Sequence, residues 1–215
     1  FAVEGVKNNI MLKLIVFDLD GTLAESKSPV ESEMAHLLGE LLRVVEVAVI
    51  SGGDWPQFRQ QLIAGLPDGG YLERLSLLPT CGTKYYSYEG GFWRQKYSLE
   101  LRTDEKKKIK KSLRKALELS GLQSEKSWGE TIEDRDSQIT FSALGQHAPL
   151  AEKKNWDPDF VKRSKIKSHL DKLLPDYSVA MGGTASIDIT QLGIDKAFGI
   201  RRLSQLLAVE FKDMV

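Results

Sequence analysis

The chain has 215 residues, 41% hydrophobic and 28% charged, and its 30 basic residues are matched by 30 acidic ones. That balance gives no electrostatic reason to expect nucleic acid or an anionic membrane as a partner. Cys81 is the only cysteine, which excludes an internal disulfide and suits a reducing compartment.

The opening segment FAVEGVKNNIM has no signal-peptide pattern, and no apolar run approaches the ~20 residues of a membrane span. A soluble cytoplasmic protein is expected. Leu14–Phe17 is a short apolar run that reads as a buried parallel strand, and it ends in Asp18-Leu19-Asp20-Gly21-Thr22. Met34, Leu37, Leu38, Leu41 and Leu42 recur at helical spacing. Val44–Ile50 reads as a second buried strand, followed by Ser51-Gly52-Gly53-Asp54. Residues 56–65 read as a helix and Pro67-Asp68-Gly69-Gly70 as a turn. Alternating strands and helices imply right-handed crossovers and a parallel sheet, with ligands bound at the C-terminal strand ends.

The middle of the chain reads differently. Tyr85–Tyr97 is expected to form a hairpin turning at Glu89-Gly90-Gly91. Residues 104–119 form an amphipathic helix whose lysines make a solvated face. Strands are expected at Thr131–Glu133 and Gln138–Leu144, a helix at 158–174, and strands at Tyr177–Met181 and Ser186–Thr190. The fold class expected is α/β, a Rossmann-like parallel-sheet core carrying an inserted α+β cap. Residues 1–97 are assigned to the core, 98–183 to the cap, and 184–215 to the core again, with a last helix from about Asp195 to Val209.

Two carboxylates at the tip of a buried strand repel each other unless a cation or a proton lies between them. A strand-end carboxylate can attack phosphorus as a nucleophile. The second can protonate the leaving oxygen and then activate water. Mg²⁺, which prefers oxygen donors, would neutralise the carboxylate and phosphoryl oxygens together. On this reading Asp18 is the nucleophile and Asp20 the general acid/base, and both contribute to the metal site, Asp20 through its main-chain carbonyl.

The DLDGT string after an apolar strand resembles the first motif of the haloacid dehalogenase superfamily. The resemblance implies that Ser51, after the second strand, holds the phosphoryl group. It also implies that Lys196, in GIDKAFGI, neutralises the phosphoryl group and the nucleophile. IEDRDSQITFSALGQ and GGTASIDITQLGIDK resemble cap segments of the sugar-phosphatase and phosphomannomutase branch, eukaryotic-type phosphomannomutase above all. Carried across, Arg135, Ser186 and Asp188 match substrate-binding residues. Gln146, Lys153 and Lys27 stand where that family has arginines.

Lysine keeps the charge but not the bidentate fork, and glutamine loses the charge. These departures favour hydrolysis, so the reading is a Mg²⁺-dependent phosphatase of a small phosphorylated metabolite, a sugar phosphate. A phosphomannomutase-type phosphohexomutase is the alternative, and an inert binding module a second one. A homodimer through the cap is left open. The resemblance also implies further metal carboxylates after the next core strand. EFKDMV lies where that strand is expected to begin, with Asp213 preceding it. Further ligands are therefore expected beyond Val215.

Overall fold

The computed structural model describes residues 12–25, 28–67, 71–122 and 127–215. The core sheet begins with three parallel strands, β1 (Leu14–Asp18), β2 (Glu46–Ile50) and β3 (Leu75–Leu78), in that spatial order. An antiparallel hairpin, β4 (Lys84–Glu89) and β5 (Phe92–Ser98), extends the same sheet beyond β3. Strand β2 is buried on both faces. Val47 and Val49 pack with Leu38, Leu42 and Phe58 from α1 (Ser32–Leu42) and α2 (Trp55–Gln61). Ala48 and Ile50 face the opposite way, toward Leu203 of α6 (Lys196–Leu207). A helix on each side of the sheet is what a continuous apolar strand requires.

The second unit is a four-stranded antiparallel sheet in the order β6 (Ile132–Asp134), β7 (Gln138–Ser142), β9 (Ser186–Gln191), β8 (Tyr177–Gly182). Helices α3 (Thr103–Ser120) and α5 (Val161–Leu173) cover one face, burying Ile109, Leu113, Ile166 and Leu170 against Ile139, Ile187 and Ile189. A short helix, α4 (Leu150–Trp156), links β7 to α5 and was not foreseen from the sequence.

The expectation that residues 184–215 belong to the core is corrected here for 184–191. Strand β9 pairs with β7 and β8 along its whole length, so the cap runs through Gln191 and the core resumes with α6. The reason is local: the tight Gly182-Gly183 connection returns the chain beside β8, which forces antiparallel pairing. Alternation then sends Ile187 and Ile189 into the cap core and leaves Ser186, Asp188 and Thr190 on the open face.

At the other edge of the core, Met214 bridges Leu14 in parallel, and Val215 exchanges hydrogen bonds with Leu14 and Val16 at 3.1 and 2.7 Å. Asp213 stands at the start of this pairing: its carbonyl accepts from Lys13 N at 2.9 Å, and its carboxylate forms an ion pair with Lys13 at 2.9 Å. Among the described residues no helix is long and apolar enough to cross a membrane.

Candidate active site

Strand β1 ends at Asp18, and the fully buried Leu19 anchors the backbone between the two carboxylates. Gly21 then turns the chain with φ +84°, a conformation that L side chains rarely adopt. The Asp18 carboxylate accepts from its neighbour's N–H, Leu19 N, at 2.9 Å through Oδ1. Through Oδ2 it meets Lys196 Nζ at 2.7 Å. Lys196 reaches this point because it opens α6, whose N-cap, Asp195, accepts from Phe198 N at 2.6 Å. The backbones of Gly82 and Gly199 pack together where α6 crosses the loop after β3, so neither position has room for a side chain.

Asp20 is held by donors. Ser51 Oγ donates to its Oδ2 at 3.1 Å, Gln57 Nε2 to the same oxygen at 2.9 Å, and Gln61 Nε2 to Oδ1 at 3.4 Å. Ser51 sits just past β2 and accepts in turn from Gly53 N at 3.0 Å. Sequence reasoning missed Gln57 and Gln61. Both lie on the face of α2 turned to the strand ends, and only the tertiary fold brings them to Asp20.

Asp18, Asp20, Ser51, Gln57 and Lys196 line a cavity of ≈ 380 Å³ between core and cap, which Arg135, Gln138, Ser186 and Asp188 complete from the cap side. Asp188 Oδ1 accepts from Thr140 Oγ1 at 2.8 Å, and Ser186 Oγ donates to Gly182 O at 2.7 Å. Arg135 is buried and already engaged. It grips Glu133 Oε2 at 2.6 and 2.9 Å and donates to Gly52 O at 2.8 Å, tying the cap to the loop after β2.

The structure thus brings Asp18, Asp20, Ser51, Lys196, Arg135, Ser186 and Asp188 to one cavity. It does not bring Gln146 or Lys153 there. Gln146 lines a second cavity of ≈ 390 Å³ behind Gln57 and Arg135. Lys153 is buried, and its ammonium donates to the main-chain carbonyl of Gln146 at 2.8 Å. Lys27 lies outside the described residues. Cys81 also lines the first cavity, but burial first, then Asp188, push its thiol up to about 12 against the opposing pull of Lys196. A thiol so shifted stays protonated at neutral pH.

The cap's tip is seated in the core by a second set of contacts. Lys84 Nζ bridges Asp54 at 2.9 Å and Asp136 at 3.1 Å, and Thr83 Oγ1 donates to Ser137 Oγ at 2.6 Å. The β6–β7 turn is thereby tied to the core.

The Asp18 and Asp20 side chains carry hard oxygen donors, and both residues line the cavity, the chemistry Mg²⁺ prefers. Among the described residues no cluster of three or more His, Cys, Asp or Glu side chains suited to a metal occurs. Oxygen donors of this kind suit Mg²⁺.

A parallel core with a paired-carboxylate strand end and an inserted cap defines the haloacid dehalogenase class. Solved structures agree at the level of fold. The IMP-nucleotidase of Plasmodium falciparum superposes with a TM-score of 0.66 at 17% identity, over 94% of this chain and 58% of that one. A haloacid dehalogenase-like hydrolase from Bacteroides thetaiotaomicron gives 0.59 at 17% identity, over 94% and 79%. The chain thus spans just under three fifths of the nucleotidase. Within the class the match is narrower: the sequence profile described as "Eukaryotic phosphomannomutase" covers residues 34–213, and the chain belongs to that family. Similar curated proteins include the phosphomannomutase of Spinacia oleracea, 26% identical over 206 residues, covering 92% of this chain and 79% of that protein. The probable phosphomannomutase of Caenorhabditis elegans is 26% identical over 196 residues, covering 88% and 76%.

Proposed function

We propose that the chain is a phosphomannomutase-type phosphohexomutase, moving a phosphoryl group between positions of a hexose through Asp18. The observation that carries the reading is the Asp18–Lys196 contact of 2.7 Å beside an Asp20 held by Ser51, in a cavity closed by the cap's Ser186 and Asp188. Family membership and the phosphomannomutase relatives support a mutase over a general phosphatase.

On this reading an Asp18 oxygen attacks phosphorus while the bond to the sugar oxygen breaks. Asp20 gives its proton to the departing sugar oxygen, which leaves as a hydroxyl. Lys196 and the Ser51 hydroxyl balance charge on the phosphoryl oxygens. Mg²⁺, when bound, offsets the negative charge shared by the carboxylate and the phosphoryl group. In the other half, the free hydroxyl of a hexose phosphate attacks the aspartyl-phosphate and gives its proton to Asp20, forming a hexose bisphosphate that turns around before Asp18 takes up its other phosphoryl group. Ser186 and Asp188 offer polar atoms to sugar hydroxyls.

Hydrolysis is the second reading, and a specific observation favours it. Among the described residues only Arg135 and Lys196 bring positive charge to the cavity, and Arg135 is neutralised by Glu133. A bisphosphate intermediate held at both ends would call for more cations. The test supplies mannose 1-phosphate and glucose 1-phosphate with Mg²⁺ and follows the 6-phosphate and free phosphate together. Isomer without phosphate supports the mutase, and phosphate alone supports the hydrolase. Neither product formed in an Asp18-dependent way overturns both.

A further inference from the structure

Behind the cavity lies a buried ion pair that the chemistry above does not use. Arg163 on α5 is 2% exposed and Asp157, before that helix, is 0% exposed in their side chains, with Nε to Oδ2 at 2.7 Å. Asp157 also accepts from the main-chain N–H groups of Lys162 and Arg163 at 2.8 and 3.2 Å, which fixes the start of α5. The other end of the guanidinium faces the turn between β8 and β9. Its Nη1 donates to the carbonyls of Gly182 at 3.2 Å and Gly183 at 2.9 Å.

That turn forms part of the wall of the substrate cavity. The Gly182 carbonyl that Arg163 grips also accepts the Ser186 hydroxyl, at 2.7 Å. A Cβ on Gly182 would stand 3.2 Å from Ser186 Oγ and would collide with the Asp188 carboxylate. The turn, Ser186 and Asp188 are thus packed as one unit, and Arg163 is the cation behind it. A hairpin turn at a sheet end is ordinarily among the more easily opened parts of a fold. Here a fully desolvated charge holds two of its carbonyls.

We propose that Arg163, oriented by Asp157, is a positioning residue that fixes the Gly182–Gly183 turn and through it the cap's substrate-recognition face at Ser186 and Asp188. It touches neither phosphorus nor sugar. The substrate part of this inference rests on the proposed reading of the cavity, whereas the anchoring part does not. A planar fork can serve a carboxylate and two carbonyls at once. A lysine ammonium at the same place serves fewer of them.

The test uses the full chain and three variants: Arg163→Lys, Arg163→Met and Asp157→Asn. Hydrogen exchange is followed in segment 181–188 and, as a control, in 132–142. In Arg163→Lys, exchange in 181–188 should rise about tenfold while the control stays within about twofold. KM for a hexose 1-phosphate should rise about tenfold. The kcat/KM for p-nitrophenyl phosphate, which needs only the core groups, should hold within about twofold. Asp157→Asn keeps an acceptor for the helix start and should move the same readouts less. If Arg163→Met fails to fold, the other two variants decide. Unchanged exchange in 181–188 overturns the anchoring. A raised exchange with unchanged KM, or equal losses on both substrates, overturns the link to recognition. An intact chain that hydrolyses p-nitrophenyl phosphate through Asp18 but acts on no hexose phosphate overturns both the proposed function and that link, and exchange alone then judges the anchoring.

Discussion

Replacing Lys196 by Met separates what this residue does for the fold from what it does for chemistry. In the resting site its ammonium lies 2.7 Å from Asp18, but the two side chains are 45% and 33% exposed. A pair that open contributes only about 0–1 kcal/mol to stability. For a chain of this size each kcal/mol corresponds to roughly 2–4 °C in Tm, so Lys196→Met should melt within about 4 °C of the intact protein. The rate is another matter. On the proposed reading a phosphoryl group entering the cavity displaces water, and the ammonium then faces both Asp18 and the transferred oxygens. A charge-assisted hydrogen bond under those conditions contributes about 1.5–3 kcal/mol, and two such contacts set a loss of roughly two to four powers of ten in kcat/KM. The assay is Asp18-dependent turnover of p-nitrophenyl phosphate beside a thermal melt on the same preparation. A loss of less than about fivefold in kcat/KM would refute the reasoning, and so would a large drop in Tm with unchanged rate.

Asp20→Asn should abolish turnover of hexose phosphates, whose leaving group needs a proton, yet still form some phosphorylated protein from p-nitrophenyl phosphate; equal losses on the two would remove the proton-transfer role. Glu133→Gln frees Arg135 of its counter-charge, so inorganic phosphate should inhibit several-fold more tightly, and an unchanged inhibition constant would mean that Arg135 does not face the anion. Asp136 has a dependence on pH. Burial alone would raise its carboxyl, but Lys84 and Lys106 outweigh that and hold it below the ordinary value. Its contribution is then fully present above the unfolded-state value and is lost as pH falls through the folded one, below about pH 4. Asp136→Asn should therefore flatten the acid limb of a Tm-against-pH curve relative to the intact protein, and superimposable acid limbs would count against the Lys84 bridge.

Much of the site was legible because it lies where strands end. An apolar run breaking into Asp18-Leu19-Asp20-Gly21, a second into Ser51, and a helix opening at Lys196 are local signals, and the parallel sheet brings them together. Pairing partners were not legible. The alternation in Ser186–Gln191 announces a strand but cannot say which sheet it joins, and the tight turn at Gly182-Gly183 decided that. Strand β3 went unread because Leu75–Leu78 is only four residues long, hemmed by short 3₁₀ turns. Helix α5 starts at Val161, three residues later than the expected 158, because Phe160 adopts φ 63° and Asp157 accepts from the N–H groups of Lys162 and Arg163. Gln57, Gln61 and the Asp157–Arg163 pair carry no motif at all. Their roles exist only across elements, and side-chain spacing along the chain does not encode them.

The central claim is that phosphorus passes through the Asp18 carboxylate. The most direct measurement is an acid quench of the protein, milliseconds after mixing with phosphorus-labelled hexose 1-phosphate and Mg²⁺, followed by peptide mapping. The account predicts label on Asp18 alone, released by hydroxylamine as an acyl-phosphate must be, and absent in Asp18→Asn along with turnover. Label on another residue, or an Asp18→Asn protein that still turns over substrate, would contradict it.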